Sequence, residues 1–242
     1  MAKKSTDRFV NIQAYLEALD VALPQLTISS SSQNRVSQKV IEQLFSDGEA
    51  HMRAKRFQEA TTIFEQILQL DPKLAEASYR KGEALQQLEE YWKALAAYEH
   101  ATELNPAFER AYIGKGDLQN FIFGNHQQAL EEYKKATSAA PQSILGYTKM
   151  GELLGVIHRH HEALAAYEFA IRYAPDSIDL YYKKLNVLLN LQWYDDALNT
   201  YDQIIKISSS PLAVYYEKID LLKHLGRYDE VLSTFDAILS LP

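Results

Sequence analysis

Ala94-Leu95-Ala96-Ala97-Tyr98-Glu99-His100-Ala101-Thr102-Glu103-Leu104-Asn105-Pro106 returns, lightly changed, as Ala163-Leu164-Ala165-Ala166-Tyr167-Glu168-Phe169-Ala170-Ile171-Arg172-Tyr173-Ala174-Pro175. In each copy an alanine is followed four residues on by an aromatic, one helical turn away, and a proline closes the stretch. Working outward, the same pair recurs as Ala60 and Phe64, Ala129 and Tyr133, and Ala197 and Tyr201, with Val231 and Phe235 completing the series. The step is 34 residues throughout, except for 35 between Ala94 and Ala129.

Other columns keep this register. Gly48, Gly82, Gly116 and Gly151 form one, replaced by Leu185 and Ile219. Leu44, Ser78, Tyr112, Tyr147, Tyr181 and Tyr215 form a second, and Pro72, Pro106, Pro141 and Pro175, then Ser209, a third. They divide the chain into six units, 41–74, 75–108, 109–143, 144–177, 178–211 and 212–242. A period of this length means stacked supersecondary units, none of which can bury its apolar face alone. The small alanine and glycine let two helices approach, the aromatic fills the groove between them, and proline breaks the chain before the next unit. Nine glycines and seven prolines in 242 residues, with Ala, Leu, Glu, Gln and Lys abundant, also favour helix over strand.

These columns resemble the tetratricopeptide repeat, and the likeness covers residues 41–242. The resemblance implies an all-α, right-handed superhelical solenoid of six helix-turn-helix repeats. Its expected role is a protein-interaction scaffold that binds a protein or peptide segment in the groove lined by the first helix of each unit. Glycine and proline lapse in the last two units, so looser packing is expected there. In the family, positions 2, 5, 9, 12 and 13 of the unit face the ligand. Position 5 here holds Phe45, Tyr79, Ile113, Thr148, Tyr182 and Tyr216, and position 9 holds Glu49, Glu83, Asp117, Glu152, Asn186 and Asp220. An aromatic stripe beside an acidic one would favour a basic or aromatic-complementary partner over an acidic one. The pairing of Lys at position 5 with Asn at position 9, by which chaperone-binding members hold a C-terminal carboxylate, is absent from every unit.

Composition narrows the function classes. The net charge is −7, with 32 acids against 25 dispersed bases, which argues against nucleic acid. There is no cysteine, so disulfides and thiolate chemistry are excluded and a reducing, cytoplasmic setting is expected. Neither a secretory signal nor an apolar run of membrane-spanning length is evident. Phosphate-binding loops, kinase catalytic motifs and a nucleophile elbow are missing, so neither an enzyme nor a cofactor is expected. His158, His160 and His161 could suggest a metal, but His160 and His126 stand in a column held elsewhere by Phe57, Tyr91, Tyr194 and Tyr228, which reads as packing. The acid pairs Glu89-Glu90, Glu131-Glu132 and Asp195-Asp196 read as solvated helix surface.

Three features stand apart from the repeat. Residues 1–23 are expected to form an extra amphipathic helix, from Phe9, Ile12, Tyr15, Leu16, Leu19 and Leu23 at helical spacing, and residues 24–40, with Ser29 to Ser32, a linker. Arg8-Phe9, Ala14 and Leu16-Glu17-Ala18-Leu19 resemble the closing helix of bacterial serine/threonine kinase domains, which would make the array a regulatory or substrate-recruiting tail. The extra residue of unit 3 falls in Asn120-Phe121-Ile122-Phe123-Gly124-Asn125, where a bulge should expose Phe121 or Phe123. Finally, Leu222, Leu225, Val231, Phe235, Ile238 and Leu239 make the last unit apolar, so either the chain continues beyond Pro242 or two chains meet there as a weak homodimer.

Overall fold

The computed structural model describes residues 30–241 and, among them, contains helices and no strand. Twelve α-helices pair into six hairpins: α1 Ser30–Arg53 with α2 Phe57–Leu70, α3 Ala75–Gln87 with α4 Tyr91–Leu104, and α5 Glu109–Asp117 with α6 His126–Ala139. Then follow α7 Ile144–Val156 with α8 His160–Tyr173, α9 Ile178–Asn190 with α10 Tyr194–Ile207, and α11 Leu212–His224 with α12 Tyr228–Leu239. Each helix packs on the one before and the one after it in the chain, as a solenoid requires. In units 2 to 5 successive first helices also touch one another, whereas successive second helices stand further apart. The stack therefore curves, with first helices inside and second helices splayed outside.

The repeat columns do the expected packing. Ala60, Ala94, Ala129, Ala163 and Ala197 are wholly buried, and the aromatics one turn later lie in the same core. A Cβ added to Gly82 would stand 2.6 Å from the ring of Tyr98, and one on Gly151 2.7 Å from Tyr167, so only glycine admits the aromatic there. Where Leu185 and Ile219 replace glycine, their own side chains are buried in the hairpin core. The prolines 72, 106, 141 and 175 sit in the turns between units, each one residue past a helix C-cap.

One expectation about the N-terminal region changes. The first described helix spans Ser30–Arg53, so residues 30–40 of the segment read as a linker, 24–40, are helical. The physical reason is that residues 30–40 lack Gly and Pro, and the Gln-Lys-Val-Ile-Glu-Gln run over 38–43 propagates a helix. The segment resembling a kinase closing helix, 7–23, lies outside the described residues.

Candidate partner-binding face

The inner face is built from the first helices, and the position-5 residues are less available than a simple transfer implies. Tyr79 is buried: its ring lies edge-on to Phe108 at 5.2 Å and beside Tyr98 at 5.7 Å. Its hydroxyl donates to Glu83 Oε1 at 2.6 Å. Burial first, and then the Glu83 carboxylate, push its pKa well above the ordinary tyrosine value. Ile113 is also buried, and Phe45 packs against Phe64. Thr148 is half-buried and donates back to the Ile144 carbonyl. Tyr182 is half-buried, its hydroxyl 3.4 Å from Glu217, and Tyr216, half exposed at 50 %, is the most open of the six. The continuous aromatic stripe is thus corrected to an aromatic core under the face with two rings at its C-terminal end. A ring at position 5 can turn down onto the aromatic of its own hairpin, and in units 1 and 2 it does.

The position-9 carboxylates are largely neutralised by the unit that follows. Arg80 reaches Glu49 at 3.3 Å, Lys149 reaches Asp117 at 3.1 Å, and Lys183 reaches Glu152 at 2.8 Å. Arg80 also holds Glu76 and Glu83 on its own helix. The expected acidic row is therefore a ladder of alternating charge. It remains acidic only toward unit 6, where Asn186 and Asp220 are exposed, Asp220 pairs only with Lys223 of its own helix at 3.5 Å, and Glu217 stands where earlier units carry Arg80, Lys149 and Lys183.

Along this face runs a cleft of about 510 Å³, lined from units 1 to 4 by Met52, Tyr79, Glu83, Arg110, Asp117 and Lys149 among others. Arg110 lies over the rings of Tyr79 and Phe108, 5.5 and 5.7 Å from their centres, which fixes a cation on an aromatic wall. Leu145, half exposed, lines the same cleft. Phe121 is 66 % exposed and its ring meets the Lys149 ammonium at 5.4 Å. Its exposure comes from the extra residue of unit 3, which the backbone absorbs as a π-turn over Leu118–Ile122. Phe123, from the same segment, instead stacks on Trp92 at 4.3 Å.

Of the three clustered histidines His160 is half-buried, and His158 and His161 are exposed. His158 and His160 meet edge to face at 5.6 Å, and His161 lies against Trp193 at 5.2 Å. Among the described residues no group of three or more His, Asp or Glu could hold a metal ion, and no helix is long and apolar enough to cross a membrane. One acid of the solvated pairs is misplaced by that reading: Glu132 is buried and held by Lys115 and Lys135.

Stacked helical hairpins with a long cleft on the inner face define a repeat solenoid of the protein-interaction class. Profiles of the tetratricopeptide repeat match residues 51–118, 109–143 and 148–210, and the chain belongs to that family. No curated protein matches it. Among solved structures it is similar to PilF of Pseudomonas aeruginosa, at 16 % identity and a TM-score of 0.64, over 82 % of this chain and 90 % of that one. It is also similar to MamA, at 18 % identity and a TM-score of 0.59, over 70 % and 92 % of the two chains. A third is YrrB, described as a tetratricopeptide protein with an unusual peptide-binding site, at 18 % identity and a TM-score of 0.56, over 75 % and 97 %. Likeness at these identities speaks for the shared fold.

Proposed function

We propose that this protein is an interaction scaffold that takes an extended segment of a partner protein along the inner face, centred on the cleft between units 1 and 4. The observation that carries this reading is the cleft itself: its carboxylates Glu83 and Asp117 are already balanced by Arg80 and Lys149, while Leu145 within it and Phe121 against Lys149 are exposed to a ligand. A partner segment of mixed charge with apolar anchors suits it, and a preference for basic segments narrows to the Glu217 and Asp220 end. A cysteine-free chain suits work in a reducing compartment such as the cytoplasm.

The test begins with affinity capture of partners and mapping of the bound segment on peptide arrays. Leu145→Glu combined with Phe121→Ala changes exposed side chains only, and should weaken binding of the mapped peptide about tenfold, roughly 1.4 kcal/mol, with helix content unchanged. Tyr79→Ala is a poor probe, because it would open a cavity in the core. Unchanged affinity in the double variant would move the site off the inner face.

A further inference from the structure

Unit 2 breaks the tyrosine column. In unit 4, Tyr147 stacks on Phe169 of the second helix with ring centres 5.1 Å apart and planes 12° from parallel. The same two positions in unit 2 are Ser78 and His100, whose Oγ and Nδ1 lie 2.9 Å apart. A hydroxyl and a five-membered imidazole replace a phenol and a phenyl ring, and they fill less space. The result is a cleft of about 440 Å³ on the outer side of the array, between α2 and α4, floored by α3. In units 4 and 5 the matching cleft is lined by Tyr181 and measures about 290 Å³. Both open outward because successive second helices splay apart.

The chemistry of the enlarged cleft is specific. Leu68, Leu85 and Ala97 supply apolar walls, and Ser78 with His100 a polar end. Both groups at that end can donate or accept a hydrogen bond. The charges at its rim are already matched, Lys81 with Glu65 at 2.8 Å and Lys93 with Glu90 at 2.6 Å, so the site has little use for an ion. A neutral ring with one hydroxyl fits: the group that most units carry at this position themselves.

We propose that this cleft is a second docking site, which receives the tyrosine side chain of a partner protein in place of the ring omitted at Ser78. Its residues are distinct from those of the inner cleft, so either site can fail without the other. The test uses p-cresol, the tyrosine side chain alone, titrated into the full chain by NMR. Saturable shifts are expected at Thr61, Ser78, Leu85, Ala97 and His100, and they should persist in Phe121→Ala, which alters only the inner face. Ser78→Tyr should abolish them with the fold retained. Ser78→Ala, which keeps the space but removes the hydroxyl, should weaken binding at least threefold. The proposal is overturned by absence of saturable shifts, by shifts that survive Ser78→Tyr, or by tighter binding of 4-hydroxybenzoate than p-cresol, which would indicate a free phenolic acid as ligand.

Discussion

At the scale of single residues, one backbone conformation recurs in every unit. The second residue past the first helix, or past the π-turn that ends it in unit 3, is left-handed: Lys55, Glu89, Gly124, His158, Gln192 and Gly226 have φ between 56 and 70°. In five units the amide of the next residue bonds back five positions, as Arg56 to His51 and Trp193 to Leu188, while the left-handed residue bonds back three, the pattern of a Schellman cap. A side chain in this region costs about 1 kcal/mol, which only the glycines escape. Gln192→Gly is therefore expected to raise stability by about 0.5–1 kcal/mol and Gly226→Ala to lower it by about 1 kcal/mol, measured by urea denaturation. Both moving the same way would refute the account. The sequence gives no sign of this at Lys55, Glu89, His158 or Gln192, because tertiary packing of the hairpin, not local preference, sets the angle. The glycine column was legible, and it yields a second contrast. Gly116→Ala would drive a Cβ into the ring of Tyr133, whereas Gly155→Ala meets nothing within 4 Å. The first should cost about 1–3 kcal/mol and the second should stabilise slightly, as thermal melts will report.

Among elements, the four hairpins of units 2 to 5 are each held by a buried phenol. Tyr98, Tyr133, Tyr167 and Tyr201 take the same place on their second helices, and Tyr133 donates to Asp117 while Tyr98 donates to Gln86. Burial, first among the causes, raises all four pKa values, that of Tyr201 to about 12 and the others further. The folded state thus favours the protonated phenol. This stability is complete below the unfolded value of about 10 and is lost as pH rises through the folded values. Helix content should fall above pH 10, with tyrosinate absorbance rising in the same transition, and Tyr201→Phe should move the transition upward. Full ionisation with the helices intact would contradict it. The hairpins themselves could be read from the 34-residue step, since alanine and aromatic recur on it. The pairing between hairpins could not. Lys81 with Glu65, Lys184 with Glu168 and Lys218 with Asp202 form a ladder across neighbouring units at 2.6–3.0 Å, visible only once the helices are stacked. For the same reason the position-9 acids looked free in sequence.

For the whole molecule, the question is what covers the outer face of unit 6. Unit 5 shows what a following first helix covers: Leu198, Tyr201 and Ile204 are buried and Ile205 is half-buried. The same positions of unit 6 are Leu232, Phe235, Ile238 and Leu239. Leu232 is 65 % exposed, Leu239 84 % and Phe235 38 %, and Tyr228 is open beside them. Four apolar side chains on one helix form a face shaped to take another helix, and an identical face on a second chain can supply one by two-fold pairing. For the 242-residue chain, where no further helix covers this face, self-association through α12 is therefore expected, weak because the area is small. Sedimentation across a concentration series should show a monomer–dimer equilibrium, shifted toward monomer by Leu239→Glu and Leu232→Glu, both of which replace exposed side chains and leave the hairpin core untouched. Association that survives both variants would place the contact elsewhere. A chain that stays monomeric at high concentration, with residues 212–241 resistant to protease, would mean that the last hairpin is stable with its apolar face in water.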